Sequence, residues 1–264
     1  MILSFPFVSA SFDADARAFI NTSGATDRAA INHFVKGMKR LGLYSSMVCW
    51  PLRSTQNAGT GSTAYSLGGL GTYNGTLING PIWEADGIVF VRTSSQYINV
   101  PTATASPSSY LLGAVFNPST SGTDPSSLSL AHNGTGNADA FQIGDSSSNI
   151  LTGGHRQVAG STFISPANQT YTTGSFQFVQ QGWDGATVRR FFNKSSEVSA
   201  ASGAFGGFIS PLRINARGDS VSQFGNNKTT SFAFMTHGAG ASATISNSIF
   251  DLYKSTLGQG LGLP

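Results

Sequence analysis

Charge is scarce in this sequence: Asp, Glu, Lys and Arg together make up 10% of 264 residues. Helical bundles rely on those residue types for their solvated faces. Their scarcity, beside 32 glycines and much Ser, Thr and Asn, excludes a bundle and favours short strands joined by turns. Cysteine occurs once, at Cys49, which excludes an internal disulfide and a cysteine-based zinc site. No run approaches the roughly eighteen apolar residues of a membrane-spanning helix, so no membrane insertion is expected. The apolar stretch 1–12 lacks the basic residues that open a secretory signal and is expected to belong to the mature protein. The formal charge of +3 is small, and the basic residues are scattered apart from Lys36, Lys39, Arg40 and the pair Arg189, Arg190. A nucleic-acid groove needs a denser stripe, so no nucleic-acid partner is expected.

The chain is long enough for a single β-sandwich with a sizeable core. Residues 13–21 fit a short helix. From Thr26 as N-cap, Ile31, Phe34, Val35, Met38 and Leu41 recur at helical spacing before Gly42, with Arg28, Asn32, Lys36 and Lys39 on the polar side. That pattern predicts an amphipathic helix laid on the sandwich. Residues 54–80 read as a long connector with short strands, carrying Tyr65, Leu67, Leu70, Tyr73, Leu77 and Ile78. Apolar or alternating runs follow at 87–91, 96–100, 110–116, 127–131, 140–144, 176–183, 187–193, 211–216 and 231–236, with turn residues between them. They predict two packed antiparallel sheets, and Asp184-Gly185 marks a hairpin. Ser246 is expected to cap a last helix bearing Ile249, Phe250, Tyr253 and Leu257. The expected organisation is an arm and helix over 1–53 packed on a sandwich over 54–264, one structural domain overall.

Catalytic chemistry finds little support. Glycoside cleavage normally takes two carboxylates, and the only glutamates are Glu84 and Glu197; Glu84-Ala85-Asp86 is a fragment of a hydrolase pattern, and a pair of aspartates stays open. Gly144-Asp145-Ser146 and Gly218-Asp219-Ser220 lack the context of a serine nucleophile and read as turns, although His33, His132, His155 and His237 are available as bases. Gly59-Thr60-Gly61-Ser62-Thr63 lacks the lysine of a phosphate loop. The histidines have no metal-ligand spacing. No catalytic residue, metal site or obligatory cofactor is expected, and a single loop-bound calcium stays open. Surface recognition remains: Trp50, Trp83, Trp183, Tyr97 and Tyr171 are rings that stack on sugars when exposed, although most aromatics of a sandwich pack its core. The selected glycan-binding candidates are Trp183 and Asp184 at the hairpin, with Trp83 and Tyr97.

The segment 80–101, with Gly87-Ile88-Val89-Phe90 and Tyr97-Ile98-Asn99-Val100, resembles the opening of laminin-G-like, concanavalin A-like jelly-roll domains. Residues 176–193 resemble that family's hairpin and 211–218 its following strand, with Lys194 where a glycine is usual. The ends, 12–20 and 252–264, are similar to those of tailed-bacteriophage and prophage proteins carrying such a jelly roll. The resemblance implies an all-β, two-sheet antiparallel jelly-roll sandwich with an N-terminal helical segment and a short C-terminal helix. It also implies a non-enzymatic structural protein on the virion surface, decorating or cementing the capsid, with other virion proteins or its own copies as partners. The alternative is a tail or fibre protein that recognises a host surface glycan. Ile2, Leu3, Phe5 and Phe7 form an apolar arm suited either to docking on a neighbouring subunit or to an edge strand of the same domain.

Overall fold

The computed structural model describes residues 11–101, 108–119, 128–131, 139–146, 150–156, 163–194, 196–203, 211–216 and 227–264. Within them lie three α-helices: α1 (Ala14–Ser23), α2 (Arg28–Arg40) and α3 (Ala243–Ser255). The first strands are β1 (Met47–Pro51), β2 (Thr63–Ala64), β3 (Gly75–Ile78) and β4 (Ile82–Glu84). Next come β5 (Gly87–Phe90), β6 (Tyr97–Val100), β7 (Tyr110–Pro118), β8 (Leu128–Ala131), β9 (Asp139–Ser146) and β10 (Ile150–Arg156). The last are β11 (Phe163–Ile164), β12 (Gln169–Thr170), β13 (Gln177–Trp183), β14 (Thr187–Phe192), β15 (Ser196–Ala201), β16 (Leu212–Ile214) and β17 (Lys228–His237).

The first sheet runs β15-β14-β13-β7-β17-β5-β4, with β1 also on β17; the second runs β11-β10-β9-β8-β16-β6-β3-β2, with β12 on β10. Every described pairing is antiparallel. This is the expected two-sheet sandwich. Each of the nine expected strands is present, and Asp184-Gly185 does join β13 to β14.

The helices turn the sandwich into three layers. On the first sheet, Met47, Cys49, Phe178, Phe232 and Phe234 face the helices, while Val48, Trp50, Val179, Trp183, Ala233 and Met235 face the second sheet. Tyr253 of α3 stacks on Phe232 at 4.6 Å between centroids, Phe250 stacks on Phe178 at 5.7 Å, and Phe34 of α2 meets Phe232 edge-on at 5.7 Å. Strand β1, which lies between the helical segment and the connector, has no counterpart among the expected runs; it is an unbroken apolar run buried on both faces.

Helix boundaries moved for identifiable reasons. The N-cap of α2 is Asp27, whose Oδ1 accepts from the Ala30 amide, while the Thr26 hydroxyl is turned away to Thr55 O at 3.5 Å. Leu41, expected on the apolar stripe, follows the last helical residue and is 40% exposed. Asn32, expected on the polar side, is buried and accepts from the Asp13 amide at 2.8 Å. The N-cap of α3 is Ser242, whose hydroxyl oxygen accepts from the Ile245 amide; Ser246 lies inside the helix, its hydroxyl oxygen accepting from Gln180 Nε2 at 2.8 Å.

One cation ties the sheets together. Arg190 on β14 is fully buried between them, and its guanidinium donates to Gln181 Oε1 (3.1 Å), Leu151 O (2.9 Å), Ala167 O (3.2 Å) and Gly153 O (2.7 Å). Burial pulls its pKa down to about 10. Its donors are thus matched by oxygens of the opposite sheet and of β13, the condition for tolerating a charge in a core.

Candidate functional site: a cleft beside the first helix

A cleft of about 210 Å³ opens between α1 and the loop 65–74. Helix α1 buries Ala16, Phe19 and Ile20 in the helical layer, which leaves its flank, Asp15, Ala18 and Thr22, as one wall. Tyr44, from the short turn before β1, and Tyr65, Ser66, Gly68, Thr72 and Asn74 from the loop make the rest.

The loop is held by hydrogen bonds at many points. Leu67 exchanges two backbone bonds with Cys49 (2.7 and 2.8 Å), Gly69 N donates to Tyr44 O (2.8 Å), and Leu70 N donates to Met47 O (3.1 Å). Gly68 has φ 136°, and a Cβ there would collide with Met47 O, so only glycine lets the loop run this close to β1. The buried amide of Asn57 donates to Pro51 O and Tyr65 O, both at 2.8 Å, and accepts from the amides of Ala58 (2.8 Å) and Tyr65 (2.9 Å). Asn74 Oδ1 receives the Ser66 amide at 2.9 Å. A wall built this way is organised before any ligand arrives, which lowers the ordering cost of binding.

The described lining offers two phenols, the hydroxyls of Thr22, Ser66 and Thr72, one carboxylate and an amide. Neither phenolic hydroxyl nor Asn74 Nδ2 makes a hydrogen bond among the described residues. Burial, with a contribution from the Asp15 carboxylate, pushes the Tyr44 hydroxyl far above its ordinary value, so it stays a neutral donor and acceptor. Asp15 Oδ2 lies 2.6 Å from Lys39 Nζ, which also grips Asp13 at 2.8 Å and sits 5.0 Å from the centre of the Tyr44 ring. Half-buried rings beside hydroxyl and amide groups present the alternation of apolar faces and polar edges that a sugar ring has.

The other acidic side chains that the structure describes are occupied or exposed. Asp184 and Glu197 share Arg189 at 3.1 and 2.7 Å, Asp86 lies 3.6 Å from Arg53, and Asp251 lies 2.7 Å from Lys194. Glu84 is exposed at the end of β4. Among the described residues no group of three His, Cys, Asp or Glu side chains is placed to hold a metal ion.

The four glycan candidates of the sequence are not brought together, and none lines the cleft. Trp183 is 6% exposed in the sandwich core, 6.3 Å from the Tyr110 ring. Nearness to a turn did not matter; strand parity did, because β13 turns Val179, Gln181 and Trp183 inward together. Asp184 is exposed and structural: its Oδ1 accepts from the amides of Ala186 (3.0 Å) and Thr187 (2.8 Å). Desolvation opposes ionisation there, but these bonds and Arg189 outweigh it and lower the carboxyl pKa. Trp83 is half-buried against the core, its Nε1 donating to Gly61 O at 3.1 Å. Tyr97 sits half-buried on the face of the second sheet turned away from the sandwich core, beneath the Arg213 guanidinium at 5.3 Å. Trp50 and Tyr171 are core residues. Ile2, Leu3, Phe5 and Phe7 lie outside the described residues, as do His132 and Asp219. Reading 54–80 as a connector missed Tyr65 and Asn74. The available signal was tyrosine set among glycines and asparagine with no helical or strand period.

No protein-family model matches this chain, and no curated protein sequence matches it. Solved structures do resemble it. Trypanosoma rangeli sialidase in complex with 2,3-difluorosialic acid superposes with a TM-score of 0.60 at 12% identity, over 87% of this chain and 39% of the sialidase. The binding domain of botulinum neurotoxin serotype C1 gives 0.55 at 13% identity, over 79% of this chain and 52% of that chain. The botulinum neurotoxin DC binding domain in complex with SialylT gives 0.52 at 12%, over 78% and 51%. At such identities the likeness is one of fold: the chain is a lectin-like β-sandwich that spans well under two thirds of the chains it resembles.

Proposed function

We propose that this chain is a carbohydrate-recognition domain that holds a saccharide in the cleft between α1 and the loop 65–74 and does not cleave it. The observation that carries the reading is the pairing of Tyr44 and Tyr65 with polar atoms in a wall already fixed by Asn57 and Gly68. Supporting it, among the described residues one carboxylate lines the cleft instead of the usual pair, and the Tyr44 phenol is held neutral, which makes it a weak nucleophile. Sialidase and toxin-binding chains of similar fold are a weaker support, since a fold alone does not carry function.

The resemblance of the two ends, 12–20 and 252–264, to those of tailed-bacteriophage and prophage proteins carrying a jelly roll supports a setting on the virion surface. There the cleft favours the receptor-recognition role over capsid decoration, because a cement protein needs an extended contact surface and no saccharide-sized hollow. Retention on a glycan array tests the activity: Tyr44→Ala and Tyr65→Ala are expected to lower affinity at least about tenfold each while the melting temperature changes little. Retention unchanged in both variants would overturn the reading. Side-chain-resolution imaging of the particle tests the setting, a decoration protein being found in register with the capsid lattice.

A further inference from the structure

We infer that the cleft selects uncharged sugars and rejects acidic ones, with Asp15 as the residue that sets this preference. The inference rests on the carbohydrate-binding reading and concerns the class of sugar taken. Among the described residues, Asp15 is the only charged side chain in the lining. Its Oδ2 is held by Lys39 at 2.6 Å, while Oδ1 accepts no hydrogen bond among the described residues, and the side chain is half exposed. An ionised carboxylate offers acceptors only. Its natural partner in the cleft is a sugar hydroxyl, which donates, and its unfavourable partner is a second carboxylate, which cannot.

Three features of the surroundings keep the cleft from attracting an anion despite nearby positive groups. Lys39 is divided between Asp13 and Asp15, so the three charges sum to one negative. The amides at the start of α1, which elsewhere would draw an anion, are filled by the molecule's own carboxylate: Asp13 Oδ1 accepts from Asp15 N at 2.9 Å and Ala16 N at 3.4 Å. Arg17 lies about half a turn around α1 from the wall formed by Asp15, Ala18, Phe19 and Thr22, and so points away. The Tyr44 phenol, held neutral, and the Asn74 amide complete a lining suited to hydroxyls.

Sugar pairs that differ only at C6 provide the test: methyl glucoside against methyl glucuronide, and methyl galactoside against methyl galacturonide, titrated calorimetrically into the full chain. The neutral member is expected to bind about tenfold tighter in each pair, a size set by like-charge repulsion at a half-exposed site. Asp15→Asn removes the charge while keeping the shape, and should shrink the preference to under about threefold. Lys39→Met removes the counter-charge and should widen it. Acidic members binding as well as or better than the neutral ones, with the binding lost in Tyr44→Ala, would overturn this inference and leave the recognition reading standing. Binding of neither member would overturn both.

Discussion

The two sheets of this sandwich are made of the same kinds of residue but answer to different neighbours. In the first sheet, β1, β7, β13 and β17 are buried almost end to end, because helices cover one face and the second sheet covers the other. In the second sheet, β6 and β16 alternate buried and half-buried residues, because none of the described helices packs on their outer face. The difference shows where aromatic side chains remain available. Those on the first sheet, including Trp50, Trp183 and Phe178, are committed to packing. The half-open rings Tyr44 and Tyr65 come instead from irregular segments at the border of the helical layer, where backbone hydrogen bonds set their position and packing leaves one side open.

The largest expected effect separates the sheets directly. Phe178→Ala should cost about 3–5 kcal/mol, since the ring lies among Phe232, Phe234, Phe250 and Tyr253. Trp183→Ala should behave likewise, whereas Tyr97→Ala on the outer face should cost under about 1 kcal/mol. Denaturant midpoints give the ranking, and a stable Trp183→Ala protein would break the comparison.

A smaller loss is expected for Asn57→Ala, which strands the backbone groups of Pro51 and Tyr65 that Asn57 serves. About 2–3 kcal/mol of stability should go, together with a weaker saccharide affinity at temperatures where the protein is still folded. An affinity unaltered by this substitution would mean that the 65–74 wall does not depend on its buried staple.

The smallest effect is electrostatic. Burial at the end of β17 lowers the His237 pKa below its ordinary 6.5, so in acid the unfolded chain binds a proton before the folded one. Its contribution is therefore complete above about pH 6.5 and falls away as the pH drops toward the lowered folded value. His237→Gln should flatten the stability profile in that window, and hydrogen-exchange or denaturant titrations between pH 7 and 5 read it.

Much of the fold was legible because local patterns and long-range packing agree. The helical stripe Ile31, Phe34, Val35 and Met38 is the buried face of α2, and Asp184-Gly185 closes the hairpin its residue types demand, with the Asp184 amide bonded to Thr187 O at 3.2 Å. The sites were less legible. Trp183 reads as exposed from its distance to a turn, but the side of the sheet it faces depends on register with β7, which pairs it with Tyr110. β10 was missed because Gly153-Gly154 breaks its apolar pattern; Gly154 is needed where the backbone of Ile164 approaches too closely for any Cβ.

By itself the sequence determined the class: turn-rich, charge-poor runs of short apolar segments leave antiparallel sheets as the way to satisfy backbone hydrogen bonds, and one helical period leaves a stripe that must be covered. Only the tertiary structure decided which faces were covered and which rings stayed open. That outcome depends on residues brought together from distant parts of the chain, Tyr44 and Tyr65 against α1 and Trp183 against Tyr110, and no local pattern encodes such an encounter.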